Sequence, residues 1–437
     1  MKHSLIVVNP GHFHAALTLR ERHPLLSNDV SVYAEDGPEL EKFLEIVGSF
    51  NRRSANPTAW NLNVYRGSDY LEALLRDPPG DIAILAGKND SKLSSMSRLH
   101  QAGIHVLGDK TWLIDSSELD LLKPLTSSAP LAMDIMTERF EIATRLQQGL
   151  AQQPEVFGAF RDSSDGPSVY FRSVHHLFKE VNGAPLVRPP WYFDTAVQGE
   201  GITDVSTHLA DLAQWMIGCE EGADYARDIV LTSARQWPTA IPIEIFSRIT
   251  GMNSYPKGAK RHVQAGVLEY PCNARIDYRL RGVPVALDII WDLAIPVGGG
   301  DTHYGIVRGE RADIIVDQGP DTGFETRLRI FPVESDARYE HVLSDALRAN
   351  QETCPGSAYR ACAIGAEESH PVAVPAGRTG YEIIIPAALH QGHEARFAQV
   401  LNEFLVYVDA GSWPQHVSQE LVAKYTLLAK ARELSQR

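Results

Sequence analysis

The sequence predicts an α/β domain with a parallel sheet, followed by an α+β domain with a large open antiparallel sheet. Three observations carry that expectation. Up to Lys110, short apolar runs alternate with helix-like stretches, the rhythm of βαβ units with right-handed crossovers. Beyond Lys123-Pro124 the texture changes to long segments whose apolar residues take every second place, as in strands buried on one face and wet on the other. The chain has 437 residues, which allows two or more cores.

The elements follow in order. Leu5 to Val8 is a first apolar run, and His14 to Arg22 reads as helix. Val30 to Ala34 is strand-like, Pro38 to Val47 helical, and Leu62 to Tyr65 strand-like again. Between them, Ser49 to Asn61, with two arginines, a proline and several polar residues, reads as an inserted loop. Ser68 to Arg76 is helical, Asp81 to Gly87 a strand, Ser91 to Ala102 a helix, and Gly103 to Lys110 a further apolar run. Leu131 to Leu150 then reads as one helix, with Leu131, Ile135, Ile142 and Leu146 near one face. Val169 to Phe178 is a strand. In Ala274 to Leu280 the apolar residues alternate with charged ones, and Phe324, Thr326, Leu328 and Ile330 do the same around Glu325, Arg327 and Arg329. Helix-like stretches near His393 to Asp409 and Val417 to Ser435 close the chain, separated by Gly411-Ser412-Trp413-Pro414. A nucleotide-binding domain is thus expected over residues 1–125 and a substrate domain over 126–437, with helices of 393–437 packing back on the first.

Composition narrows the classes of partner. The net charge of −14 and the lack of a recurring basic, aromatic pattern speak against nucleic acid. No apolar run approaches the roughly 20 residues that cross a bilayer, and the N-terminus lacks the pattern of a signal peptide. Cys219, Cys272, Cys354 and Cys362 show no CxxC spacing and suit free thiols in a reducing cytoplasm.

The first βα turn is Val7-Val8-Asn9-Pro10-Gly11-His12-Phe13-His14-Ala15-Ala16. A dinucleotide fingerprint places G-x-G-x-x-G here, so that backbone can approach a pyrophosphate and the helix can pack closely. Asn9, Gly11 and His14 take the three glycine places, and only the middle glycine survives; the other reading is a tight turn opening a helix. Glu35 or Asp36, ending the second strand, is placed to take the ribose hydroxyls of NAD and to repel the extra phosphate of NADP, or else to cap the next helix at Pro38. Gly87-Lys88-Asn89-Asp90 is placed for the nicotinamide side, or is a polar βα loop.

Lys110 ends an apolar run, and ligands of open α/β sheets bind outside the carboxyl ends of strands. Far downstream, Asp204-Val205-Ser206-Thr207-His208 offers an acid and an imidazole four residues apart, on one helix face. A lysine, an aspartate and a histidine over a nucleotide crevice read as a proton-handling dehydrogenase site. Singly, each has a structural alternative: a solvated lysine, an N-cap aspartate, a histidine in the apolar face of Val205, Leu209, Leu212 and Trp215-Met216. Their spacing, and the approach Gln198-Gly199-Glu200-Gly201, favour function jointly. His175 and His176, together with His12 and His14, offer a metal site as the lesser reading, but no acidic ligand at a diagnostic spacing such as HExxH accompanies them, His175 and His176 are expected on opposite faces of their strand, and no metal is expected. His390 and His393 either line the same cleft or lie at the surface.

These pieces resemble the Gfo/Idh/MocA family (glucose–fructose oxidoreductase, inositol dehydrogenase and rhizopine-catabolism proteins). The similarity covers the N-terminal part and runs through Asp204 to Trp215. The family's Glu-Lys-Pro triplet looks like Asp109-Lys110-Thr111 here, and its D-x-G-x-H-x-x-D motif is similar to Asp204, His208 and Asp211, with Ser206 where the glycine usually stands. The resemblance implies a Rossmann domain that binds NAD, rather than NADP, through Asn9, Gly11, His12, Phe13, His14, Glu35, Asp36, Gly87, Asn89, Asp109 and Lys110. It implies His208 as general base, Asp204 orienting substrate or imidazole, and Lys110 polarising a sugar hydroxyl as hydride leaves for nicotinamide. His176, Trp191 and Tyr192 are expected to shape the sugar pocket, the two rings stacking on a pyranose face.

The first functional expectation is therefore an NAD-dependent dehydrogenase acting on a secondary alcohol of a sugar, glycoside or polyol. The second is a redox-neutral glycosidase or lyase that keeps NAD and passes through a keto-sugar. The third is a non-catalytic sugar or nucleotide sensor on the same fold. A cytoplasmic homodimer or homotetramer, joined through the antiparallel sheet, is expected.

Overall fold

In a computed structural model, which describes residues 2–127, 129–162, 164–181, 184–218, 222–295, 298–334, 337–363 and 379–437, the first third of the chain alternates strand and helix. The elements are β1 (His3–Val8), α1 (His14–Leu17), β2 (Leu26–Ala34), α2 (Pro38–Arg52), β3 (Asn61–Arg66), α3 (Tyr70–Arg76), β4 (Ile82–Leu85), α4 (Lys92–Gln101), β5 (His105–Gly108), α5 (Leu122–Thr126) and β6 (Ala132–Asp134). The strands form a parallel six-stranded sheet in the order β3-β2-β1-β4-β5-β6. Strand order reverses between β1 and β4, which opens a crevice at the carboxyl ends of those two strands.

Three local expectations need correction. The helix expected from His14 to Arg22 ends at Leu17. Beyond it the backbone tightens into i→i+3 bonds, Leu19 N–H to Ala16 O and Arg20 N–H to Leu17 O, before the chain turns into β2. The loop expected over Ser49 to Asn61 is shorter at its start, because α2 runs on to Arg52, and Trp60 is buried with its indole N–H donating to Leu19 O at 2.7 Å. The single helix expected from Leu131 to Leu150 is a strand and a helix: Ala132–Asp134 pairs with β5, and only α6 (Ile142–Ala151) is helical. Ala132, Met133 and Asp134 are all buried, and a run buried on both faces carries no period that tells strand from helix.

The rest of the chain adds β7 (Val169–Phe178), the small pair β8 (Glu180–Val181) and β9 (Ala184–Pro185), α7 (Ser206–Ile217), α8 (Tyr225–Asp228), β10 (Ile229–Ile241) and α9 (Ile243–Thr250). It continues with β11 (Val263–Gln264), β12 (Val267–Leu280), β13 (Val283–Ala294), β14 (Thr302–Arg308), β15 (Ala312–Gln318), β16 (Arg327–Pro332), α10 (Ala337–Ala349), β17 (Ala358–Ala363), β18 (Thr379–Ile384), α11 (His393–Ala410) and α12 (Gln415–Ser435). Among the described residues, the large sheet runs β10-β12-β13-β7-β14-β15-β16-β18-β17, with β11 beside β12. It is antiparallel except between β13 and β7, which are parallel. In β12 the alternation holds: Ala274, Ile276, Tyr278 and Leu280 are buried while Arg279 is exposed. In β16 it does not, since Arg329 is buried and paired with Asp317 at 2.9 Å; both faces of this strand are covered, one by the main core and the other by a cluster containing Tyr170, Tyr304, Ile306, Ile315 and Phe331.

The last two helices tie the halves together. Phe397, Val400, Leu401, Phe404, Leu405 and Val408 of α11 enter the core formed by β1, β2 and α2. In α12, Leu421, Tyr425 and Ala429 face the other side of the parallel sheet, whereas Ala423, Leu427, Leu428 and Ala431 join the core of the large sheet. Among the described residues, no helix is long and apolar enough to cross a membrane. Cys272 and Cys354 are buried free thiols and Cys362 is half-buried; Cys219 lies outside the described residues.

Candidate active site

The crevice begins at the turn after β1. Asn9 has a φ of 42°, a left-handed conformation that asparagine tolerates better than other side chains except glycine. This is how the turn dispenses with the first glycine of a dinucleotide fingerprint. Asn9 Oδ1 also accepts from the Glu35 N–H at 3.3 Å. At the second position, a Cβ on Gly11 would lie 3.3 Å from Gly87 Cα and 3.4 Å from the Trp191 ring. The N–H groups of Gly11 and His12 both donate to Ala86 O, at 2.9 and 3.0 Å, so the turn is tied to the end of β4. At the third position stands His14, buried against Phe397 with ring centroids 4.6 Å apart. Phe13 is exposed beside it.

β5 delivers the next two residues. Asp109 is buried, and its two carboxylate oxygens meet His12 Nδ1 at 3.1 Å and His14 Nδ1 at 3.0 Å. Burial is the main cause that pushes His14 down to about 3, so its ring is neutral at ordinary pH. Lys110 reaches across the crevice and pairs with Asp204. Asp204 Oδ2 also lies 3.5 Å from the hydroxyl of Tyr192. Beneath Lys110 is a residue that nothing in the sequence marked: Lys92, buried, donates to Asn89 Oδ1 (2.6 Å), Asp109 O (3.1 Å) and Lys110 O (3.3 Å). Burial lowers it to about 8.

Asp204 and His208 do not share a helix face, because Asp204 sits in the turn before α7 and Val205 is the N-cap. Successive tight bonds, Asp204 N–H to Glu200 O and His208 N–H to Val205 O, nevertheless bring both to the crevice. His208 Nδ1 is sealed from solvent, and among the described residues it has no hydrogen-bond partner. Burial, then the nearby Lys110 charge, lowers His208 to about 4. Asp211 is structural: it accepts from Arg139 at 2.5 and 2.8 Å and from Lys424 of α12 at 2.7 Å. Burial alone would raise Asp211, but Arg139 and Lys424 outweigh it and hold the carboxyl at about 2.

Other expected site residues are placed differently. Asp36 is exposed and pairs with Arg66, and among the described residues Glu35 is held through its backbone N–H, with no partner for its carboxylate. Asn89 is buried, with its side-chain amide donating to Gln198 O at 2.7 Å, so it joins the two domains. Trp191 lies over Gly11 rather than deep in the second domain, and its indole N–H donates to Glu39 at 2.9 Å. Tyr192 is buried among Phe193, Tyr270 and Trp291. His175 and His176, expected to diverge, both turn to Asp301, at 3.6 and 3.0 Å, where Lys179 also pairs; Asp301, just before β14, lies close enough to meet both rings at the end of β7. His393 of α11 lies 6.0 Å from His14, ring to ring, and 3.8 Å from Glu138. His390 is exposed. Glu138, Lys179, Asp301, Arg188 and Trp291 surround this region without a sequence signal, since each comes from a different element.

Residues 146–436 match the family described as "Putative oxidoreductase C terminal domain". A crystal structure described as a putative oxidoreductase from Parabacteroides merdae is similar over 100% of this chain and 98% of its own, with 38% identity and a TM-score of 0.92. Levoglucosan dehydrogenase, solved with NADH and levoglucosan, has a TM-score of 0.61 at 12% identity, over 100% of this chain and 98% of its own. KijD10, a 3-ketoreductase from Actinomadura kijaniata solved with NADP and TDP-benzene, has 0.57 at 14%, over 99% and 98%. The last two share the fold. No curated protein matches the chain. The family match and the 38% identical structure thus define an oxidoreductase. The chain belongs to the Gfo/Idh/MocA family.

Proposed function

We propose that the chain is an NAD-dependent oxidoreductase that takes hydride from a secondary hydroxyl of a sugar, glycoside or polyol. The observation that carries this reading is the Lys110–Asp204 pair closing the crevice from both domains, with Tyr192 on Asp204. Levoglucosan dehydrogenase and KijD10, which share the fold, were solved with NADH and NADP, and this supports a nicotinamide cofactor and a sugar-like substrate.

The crevice residues fit a dinucleotide. The left-handed Asn9 and the close approach of Gly11 to Gly87 keep the turn flat where a pyrophosphate would lie. Asn9, Gly11, His12, Phe13 and His14 would hold it there, and Glu35 stands at the ribose side. Trp191 occupies the approach to Gly11, so a dinucleotide shares or displaces the indole. When bound, nicotinamide supplies the hydride acceptor.

The chain's own residues handle the proton. The Lys110 ammonium, positioned by Asp204, hydrogen-bonds the substrate oxygen and stabilises the charge that develops on it as its proton leaves. His208 is neutral at ordinary pH and is the base; with Nδ1 sealed, Nε2 is the nitrogen that meets the substrate. Lys92 holds the Asp109-Lys110 backbone in place from below. A homodimer or homotetramer through the large sheet, and a cytoplasmic location, belong to the same proposal; light scattering tests the first and cell fractionation the second.

The test is turnover of a sugar, glycoside and polyol panel, read by the near-ultraviolet absorbance of reduced nicotinamide and by product analysis. Ketone formed in step with reduced cofactor is the expected result, and Lys110→Ala or His208→Ala should lower kcat/KM by about 100- to 10,000-fold while NAD still binds. Cleavage without net reduction moves the assignment to the redox-neutral reaction. A protein that binds no NAD refutes the proposal.

A further inference from the structure

We propose that His12, His14 and Asp109 form a binding site for a divalent transition-metal ion at the edge of the crevice. The inference does not require the substrate or the dehydrogenase reading, although it uses His12 and His14, which that reading also places at the dinucleotide. One ligand atom from each residue lies within 4.8 Å of the others, and among the described residues this is the group of three that does so. Two of the separations are 3.1 Å and 3.0 Å. In a tetrahedral site with bonds of about 2.0–2.2 Å, neighbouring ligand atoms stand roughly 3.3–3.6 Å apart. The two contacts use different carboxylate oxygens, Oδ2 for His12 and Oδ1 for His14, so the carboxylate already bridges the two rings at distances close to that spacing.

The donor set selects the class of ion. Two imidazoles and a carboxylate suit zinc, cobalt, iron or manganese, whereas magnesium and calcium seek oxygen ligands. Three protein ligands leave coordination positions open. The Asp109 side chain is 3% exposed and that of His14 9%, but that of His12 is 32% exposed, so an ion enters, and open positions face out, at His12.

Charge supports the same site. The buried Asp109 carboxylate meets two imidazoles, and among the described residues no lysine or arginine pairs with it. Lys92 is spent on backbone carbonyls and on Asn89, and Lys110 on Asp204. Lys92 lies close enough to feel the Asp109 charge but donates to the backbone instead, so among the described residues no ammonium sits between the carboxylate and the two imidazoles, where a divalent ion would. The second histidine cluster differs at this point, because Lys179 already neutralises Asp301 beside His175 and His176. The sequence position is also telling. His14 stands where a dinucleotide turn calls for glycine, and pyrophosphate binding by backbone N–H groups gives no reason for a pair of imidazoles in H-x-H spacing there.

The experiment uses the full chain, stripped with a chelator and reloaded with zinc or cobalt. We expect about one zinc per chain, an X-ray absorption first shell of nitrogen and oxygen without sulfur, and the visible bands of a low-symmetry cobalt site. His12→Ala and Asp109→Asn should each weaken zinc binding roughly 100-fold, and His176→Ala should leave it unchanged. Circular dichroism establishes that each variant is folded; the absorption and cobalt spectra of the unsubstituted protein stand without any variant. The proposal is overturned by absence of saturable zinc binding, by a sulfur-containing shell, by zinc retained in folded His12→Ala, or by zinc lost from His176→Ala instead. Sugar turnover and NAD binding do not enter these readings, so failure of either proposal leaves the other to be judged separately.

Discussion

Replacing Lys424 with methionine tests how α7 is held. Lys424 is 1% exposed, and its Nζ lies 2.7 Å from Asp134 at the end of β6 and 2.7 Å from Asp211 on α7. One ammonium thereby joins both domains through α12. In Lys424→Met, Asp211 keeps Arg139, but among the described residues Asp134 keeps as hydrogen-bond partner the hydroxyl of Tyr425 at 3.2 Å. Breaking a buried pair costs about 3–5 kcal/mol. Burial, with Asp211 nearby, already makes Asp134 harder to ionise, so it relieves part of the cost by taking a proton; we expect a loss of about 3 kcal/mol at neutral pH. The sign with pH follows. In the variant, folded Asp134 titrates above its unfolded value, so the folded state binds more protons and the deficit against wild type shrinks as pH falls. Urea unfolding at neutral and mildly acidic pH measures both effects, and Asp134→Asn in the same background should recover more than half of the loss. A deficit below about 1 kcal/mol, or one that Asp134→Asn does not reduce, would refute the reasoning.

Two further outcomes are expected. His208 titrates at about 4 when folded, against 6.5 ordinarily, so the unfolded chain binds the extra proton between those values and stability falls as pH drops through that window. Wild type should lose about 3 kcal/mol more than His208→Gln between pH 6.5 and 4, read from urea midpoints; parallel curves would contradict the burial of a neutral imidazole. Trp191→Ala frees the approach to Gly11 and removes the hydrogen bond to Glu39. NAD should then bind about fivefold tighter, the equivalent of about 1 kcal/mol, by fluorescence titration; weaker binding would mean that the indole grips the dinucleotide instead of obstructing it.

Much of the architecture was legible in the chain because it is locally encoded. The βα rhythm up to Lys110, the strand Val169–Phe178 and the alternation of β12 all follow from which faces of each element are buried. Ala132–Asp134 misled because burial on both faces erases the period. Arg329 misled for a related reason: a charge counts as a solvent-side signal only until a buried partner, here Asp317, accepts it. Lys110, Asp204 and His208 were recognisable as a group from motif spacing, although the helix-face argument for Asp204 and His208 was wrong in detail, since α7 begins after Asp204.

By itself, the sequence determined most of the succession of elements and brought Lys110, Asp204 and His208 forward as a candidate group at the carboxyl ends of the parallel strands. These depend on neighbours in the chain: periodicity, turn residues and short motifs. Only the tertiary structure decided what those groups meet. It brought Asp109 between His12 and His14, set Trp191 on the dinucleotide turn, placed Lys92 under Lys110, and committed Asp211 to Arg139 and Lys424. Each of these contacts spans many tens of residues or more, except that between Lys92 and Lys110, and each depends on how domains and the last helix pack. Chain spacing carries no record of that packing, because the free energy that selects it is shared among cores formed by distant segments.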